Sequence, residues 1–205
     1  MHILAIETTH AAASVALFSG ETIHETVICS EKRHEETVMP AAEQLLTENG
    51  LLPEELDAVA VDIGPGSFTG VRIGVCHANA IAAANHIPCI GICSLTAMAH
   101  KRAQVGKRIS VCLDAGNDNC YGAVIGPDSG FVYGPVAETS ATYTENAAFY
   151  HPDVTISGQD SAVLPSASDI LRCALETITG NNMPDSREAM PLYLRPSQAE
   201  RKLKV

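Results

Sequence analysis

Gly64-Pro65-Gly66-Ser67-Phe68-Thr69-Gly70-Val71-Arg72 lies between an apolar run at 57–63 and a segment of small residues at 71–85. The stretch predicts a turn from a buried strand into a helix. Gly and Pro end the strand, Ser67 or Thr69 can cap the free N–H groups of the helix start, and Arg72 falls in the first turn. Such a turn can cradle an anion, because free N–H groups and the helix dipole point the same way. Neither the Lys-Ser/Thr ending of a P-loop nor the spaced glycines of a dinucleotide loop is present, so tight packing is the competing reading.

Working outward, residues 2–8, 11–18 and 22–29 read as a three-stranded meander broken at Thr9-His10 and Gly20-Glu21. A charged loop at 30–33 follows. Val38, Met39, Ala42, Leu45 and Leu46 then recur at helical spacing until Asn49-Gly50 supplies a left-handed stop, with Pro40 implying a late start or a kink. A buried strand at 57–63, a helix at 68–85 and a strand at 87–92 complete the order βββαβαβ. From 109 a similar series begins: strands near 109–115, 120–126 and 131–136, a helix near 142–149, a strand near 153–158 and a helix near 166–179.

The expectation is an α/β fold of two lobes, each built on βββαβα around a mixed sheet. The lobes would span 1–100 and 101–187, joined by a linker at 101–107 and followed by a tail at 188–205. This order resembles the actin-like ATPase (ASKHA) superfamily, which includes sugar kinases and acetate kinase and holds a nucleotide between its lobes.

Composition narrows the function. The 205 residues suffice to bury a core, with 46% hydrophobic and 18% charged side chains. No apolar run approaches a membrane span and no charged-then-apolar leader opens the chain, which predicts a soluble, cytoplasmic protein without a membrane partner. The net charge of -11 argues against holding a nucleic-acid backbone unaided. The seven cysteines are scattered without a Cys-x-x-Cys pair and read as small core residues in a reducing compartment.

The segment from Val71 to Ala84 carries only Arg72, His77 and Asn79 as polar side chains, while Gly74, Ala78 and Ala82 recur every four residues. A helix of that kind is buried on more than one side, and its small residues admit another helix closely. Either the second lobe or the preceding helix covers it, or a partner does. Beside a helix at 34–48 it would present a two-helix surface to a homologous chain. The contact expected there comprises His34, Val38, Ala42, Leu45, Val71, Arg72, Gly74, Val75, Ala78 and Ala82. Gly64, Pro65, Gly66, Ser67, Phe68, Thr69 and Gly70 would form the structural turn.

Chemical candidates are sparse, and no catalytic, cofactor-binding or metal-ligating residue is assigned. His34 and Glu35-Glu36 open a helix, where carboxylates favour the dipole. His77, His86, His100 and His151 are isolated, and no His-Glu-x-x-His is present. Asp114-Ala115-Gly116-Asn117-Asp118-Asn119 has Asn119 where a calcium loop needs glycine and Ile125 where it needs glutamate, and reads as a β-turn. Cys89 and Cys93 stand on one side of a strand, too far apart for an unstrained disulfide. Ser67 lacks a Gly-x-Ser-x-Gly setting and an identified base.

Ile3-Leu4-Ala5-Ile6-Glu7-Thr8-Thr9, His34 with Pro40, GPGSFTGVRIG at 64–74, Ser94-Leu95-Thr96-Ala97-Met98-Ala99, Leu113-Asp114-Ala115, Pro191-Leu192-Tyr193-Leu194-Arg195 and Ser197-Gln198-Ala199-Glu200-Arg201 together resemble the TsaB (YeaZ) family. The resemblance implies a noncatalytic subunit of the machinery that makes threonylcarbamoyladenosine at the tRNA adenosine following the anticodon. It implies pairing with TsaD, the catalytic subunit of similar fold, alongside a TsaE-type ATPase, with ATP and a metal used through those partners. The chain would have no cofactor of its own, would meet tRNA only in the complex, and would form a homodimer in isolation. TsaD-type chains carry His-x-x-x-His after the strand that follows the glycine-turn helix, and this chain has Ser94 and Met98 in those places. After Asp114-Ala115 the family continues with a basic or other long residue, whereas Gly116-Asn117-Asp118 stands here. The alternative is an enzyme, either an ATP-binding hydrolase of the actin-like type or an M22-type metalloprotease, the latter from an older peptidase label on the superfamily.

Overall fold

The computed structural model describes residues 1–28, 34–102, 106–158, 163–178 and 184–196. The expected charged loop at 30–33, the middle of the 101–107 linker and the motif at 197–201 lie outside the described residues.

Nearly unbroken apolar runs make the centre of a five-stranded sheet. It comprises β1 (His2–Glu7), β2 (Ala13–Ser19), β3 (Thr22–Ile28), β4 (Ala58–Gly64) and β5 (Cys89–Cys93), in the order β3-β2-β1-β4-β5. The first three strands form an antiparallel meander, while β4 lies parallel to β1 and β5 parallel to β4. Strands β1 and β4 are buried on both faces, whereas the edge strand β3 mixes exposed and half-buried residues. Helix α1 (His34–Glu48), a 3-10 turn at Pro53–Glu55 and helix α2 (Phe68–Asn85) follow the chain across one face. Pro40 neither delays nor ends α1, which runs through it; its ring stands exposed on the outer side of the helix.

Helix α3 (Ser94–Lys101) replaces the connection expected after β5. At eight residues it is too short to display a periodicity. The second sheet contains β6 (Ile109–Gly116), β7 (Asn119–Ile125), β8 (Phe131–Thr139) and β9 (Val154–Ser157), ordered β8-β7-β6-β9, with α4 (Ser140–Ala148) and α5 (Ala167–Thr177) interspersed in the chain. Parallel pairing of β6 with β9 repeats that of β1 with β4. The hairpin between β6 and β7 turns through Gly116, Asn117 and Asp118, all at positive φ, in keeping with a plain β-turn.

Two helices are exchanged between the halves. Leu95, Met98 and Ala99 of α3 pack with Val111, Leu113 and Ile156 on the second sheet. Ala167, Ile170, Leu171 and Ala174 of α5 pack with Ile3, Ala5, Ala60 and Ile92 beneath the first. Position along the chain therefore does not say which sheet a helix covers, and neither sheet buries both its faces with its own half alone. Lys101 Nζ lies 3.0 Å from Asp169 Oδ2, and His100 Nε2 lies 2.7 Å from Glu176 Oε1, so the exchanged helices are also paired to each other.

Helix α2 is set by the glycine turn. Ser67 caps it by accepting from Gly70 N at 3.3 Å, and His86 ends it in the left-handed conformation. Its stripe of small residues faces inward. A Cβ at Gly70 would fall on the Thr8 carbonyl and one at Gly74 on the Thr8 hydroxyl, so these glycines let α2 approach the end of β1.

Candidate functional site

Where the two halves meet, the glycine turn, the β1–β2 turn and the β6–β7 hairpin border a cleft of about 420 Å³. Three amides of the glycine turn are used within the protein. Gly64 N donates to Asp62 Oδ1 at 2.7 Å, Ser67 N to the Thr9 carbonyl at 2.8 Å, and Gly70 N to Ser67 Oγ. A Cβ at Gly66 would fall on Thr9 and one at Gly70 on the Thr8 carbonyl, so the turn is packed closely against the β1–β2 turn, as the packing reading requires. The tail crosses the same cleft. Leu192 N donates to the Ile63 carbonyl at 2.8 Å, the Tyr193 ring stacks on Phe68 at 4.4 Å, and Arg195 Nη1 reaches the Ala115 carbonyl at 3.4 Å. Arg72 adds its guanidinium 5.7 Å from the centre of the Phe68 ring.

Beneath this turn lies a polar cluster that the sequence reading did not assign. Glu7 ends β1 and Asp62 lies near the end of β4, and both are buried, 1% and 0% exposed. Thr9 joins them: its N and Oγ1 donate to Glu7 Oε1 at 2.6 and 2.7 Å, and its Oγ1 also lies 3.2 Å from Asp62 Oδ2. Ser94 Oγ donates to Asp62 Oδ1 at 2.6 Å. Burial raises both carboxyl groups above the ordinary range, and the charge of Asp62 pushes Glu7 further. His10, on the turn, has a buried Nε2 without a hydrogen-bond partner, and burial lowers it to about 4, so its ring is neutral near pH 7. One legible signal existed: Asp62 interrupts the apolar run AVAVDIG, and a charge inside a buried strand demands partners.

The expected contact residues fall differently. Val38, Ala42, Leu45, Val71, Val75, Ala78 and Ala82 all belong to the core between the helices and the first sheet, and Gly74 is buried with them. Small size at positions 74, 78 and 82 serves the approach of α2 to its own sheet rather than to another chain. Arg72 is exposed, and His34 is half-buried with Nε2 3.2 Å from the Ala11 carbonyl, tying α1 to the β1–β2 turn. The outward side of α2 carries Thr69, Arg72, Cys76, Ala80, Ala83 and Ala84. Between it and α1 runs an apolar groove of about 450 Å³, bordered by Met39, Leu46, Leu52, Ala80, Ile81 and Ala84.

Two mixed sheets, flanking helices and a cleft between the halves make up a fold of the actin-like ATPase type. The family described as TsaD, tRNA N6-adenosine threonylcarbamoyltransferase, matches residues 27–186. The chain is 30% identical to the tRNA threonylcarbamoyladenosine biosynthesis protein TsaB of Escherichia coli (strain K12), covering 99% of this chain and 98% of that one. It is 36% identical to the Bacillus subtilis (strain 168) protein of the same name over 59% of this chain and 53% of that one. The solved structure of YeaZ from Pseudomonas aeruginosa superposes with a TM-score of 0.72 at 24% identity, covering 94% and 99% of the two chains, and agrees in fold. The chain belongs to the TsaB (YeaZ) family.

The imidazole pair that TsaD-type chains use for a metal has no counterpart at the start of α3. Ser94 is buried with its hydroxyl committed to Asp62, and Met98 is fully buried among apolar side chains. These residues do not fit that metal. Among the described residues no helix is long and apolar enough to cross a membrane.

Proposed function

We propose that this chain is a noncatalytic subunit of the complex that transfers a threonylcarbamoyl group to the adenosine following the anticodon in tRNA, and that it supports a TsaD-type catalytic subunit by docking against it. The observation that carries this reading is the apolar groove between α1 and α2, with Met39 and Leu52 exposed at 37% and 58% on its rim. Exposed apolar side chains beside an almost uncharged helix face favour a protein partner. The docking contact is the outward side of α2 with the rim of α1: Arg72, Cys76, Ala80 and Ala84 on the first and Met39 on the second. In isolation the same surface pairs two copies of this chain.

The noncatalytic assignment is supported by the burial of the two carboxyl groups beneath the cleft. Glu7 and Asp62 are buried and do not line it, whereas the tail residues 192–196 do. ATP and the catalytic metal are then supplied through the partner subunits, including a TsaE-type ATPase, in the cytoplasm. With a net charge of -11 the chain leaves tRNA to its partners.

Co-purification with a TsaD-type subunit tests the pairing, and a tRNA modification assay with and without this chain tests its need. Stable pairing with modification dependent on this chain is expected. A chain that alone hydrolyses ATP or modifies tRNA would overturn the noncatalytic reading.

A further inference from the structure

We infer that Glu7, His10 and Asp62 form a site for one first-row divalent cation of the Mn2+ or Zn2+ type, which locks the glycine turn to the ends of β1 and β4. One ligand atom from each residue lies within 4.8 Å of the other two. Ligands about 2.1 Å from a shared ion stand up to about 4.2 Å apart, so a small contraction closes the site. An imidazole nitrogen with two carboxylate oxygens is a set for a borderline divalent metal rather than for calcium.

A shared proton is the competing way to relieve two buried carboxylates, and it leaves His10 unexplained. A proton between Glu7 and Asp62 satisfies the acids alone, whereas a cation also takes the buried, unpartnered nitrogen of His10. The surrounding donors hold the acids in place: Thr9 on Glu7, and Gly64 N and Ser94 Oγ on Asp62. Such outer partners orient metal-binding carboxylates. His10 also lines the cleft, which supplies an entry path.

The consequence is mechanical. Gly64 donates to Asp62 and Ser67 donates to the Thr9 carbonyl, so an ion fixing Asp62 against the β1–β2 turn fixes the turn that starts α2. This site draws its ligands from other residues than positions 94 and 98, Ser94 serving only as a hydrogen-bond donor to Asp62, and it does not depend on the docking proposal.

The test uses the full chain stripped with EDTA and titrated with Mn2+, a probe with little affinity for thiols, followed by its EPR signal and by Tm. One Mn2+ bound per chain with a rise in Tm is expected, and His10→Ala and Glu7→Gln should each weaken binding at least tenfold. Either variant suffices if the other fails to fold. Absence of binding means that the acids share a proton and overturns the site. Binding that survives His10→Ala or Glu7→Gln lies elsewhere and overturns it equally.

Discussion

Asn79 of α2 and Ala189 of the C-terminal segment hold each other through two hydrogen bonds, Asn79 Nδ2 donating to the Ala189 carbonyl at 2.9 Å and Ala189 N donating to Asn79 Oδ1 at 2.8 Å. The side-chain amide acts as a strand partner would. With Cys89 N donating to the Ser186 carbonyl at 2.8 Å, it lays the segment beside β5 and directs it toward the cleft. Asn79→Ala strands both backbone groups of Ala189 and is expected to cost about 1–3 kcal/mol. Urea unfolding measures the loss, and proteolysis should then cut within 184–196; an unchanged midpoint would sink the idea that Asn79 anchors the tail.

Ala78 and Ala80 separate folding from docking on one helix. Ala78 is 0% exposed against the sheet, so Ala78→Glu buries an unpaired charge and should cost more than about 3 kcal/mol. Ala80 is exposed on the groove, so Ala80→Glu should change stability by no more than about 0.5 kcal/mol. Pairing with a TsaD-type subunit should nevertheless be lost in Ala80→Glu, and normal co-purification of that variant would remove the groove from the interface.

Gly70 and Gly74 meet different atoms of Thr8. Each Gly→Ala change is expected to destabilise by about 1–3 kcal/mol, against a helix-propensity gain of about 1 kcal/mol. Removing the hydroxyl in Thr8→Ala should relieve Gly74→Ala, whose new methyl meets that oxygen, while leaving Gly70→Ala unrelieved because it meets the backbone carbonyl. A double-mutant cycle reads the difference; equal relief at both positions would contradict the packing.

His77 gives α2 a sensitivity to acid. It is half-buried and its Nδ1 is enclosed without a partner, and burial lowers its pKa from the ordinary value. A depressed folded-state pKa means that the neutral form is favoured in the fold. This contribution is complete above the unfolded value of about 6.5 and is lost as pH falls below it. The Tm of the unaltered chain should therefore drop more between pH 7 and pH 5 than that of His77→Leu, and parallel curves would exclude His77 as the source.

Much of this architecture was legible because its causes are local. The chain from Phe68 to Asn85 reads as a helix from its Gly-Pro-Gly entry and Ser67 cap, and the second βββαβα series announces itself by alternating apolar runs and turn residues. Helix α3 was not legible, since eight residues following directly on β5 resemble the end of a strand and its connection. The burial of the expected contact residues was not legible for a related reason. Gly74, Ala78 and Ala82 permit close approach by any neighbour, and a stripe of small residues does not say whether the neighbour is a second chain or the chain's own sheet.

From the sequence alone come the element order, the glycine turn and the family resemblance, each carried by residues adjacent in the chain or at a regular spacing. Tertiary structure decided which side of α2 is covered, which sheet receives α3 and α5, and that Glu7, His10 and Asp62 lie side by side. Those outcomes depend on contacts between residues far apart in sequence: Glu7 and Asp62 become neighbours when β1 and β4 pair in parallel, with Ile6 opposite Val61. The same pairing put the turn at Gly64 over the β1–β2 turn, where the Gly64 and Ser67 amides bond to Asp62 and Thr9 and α2 leaves with its outward side facing solvent.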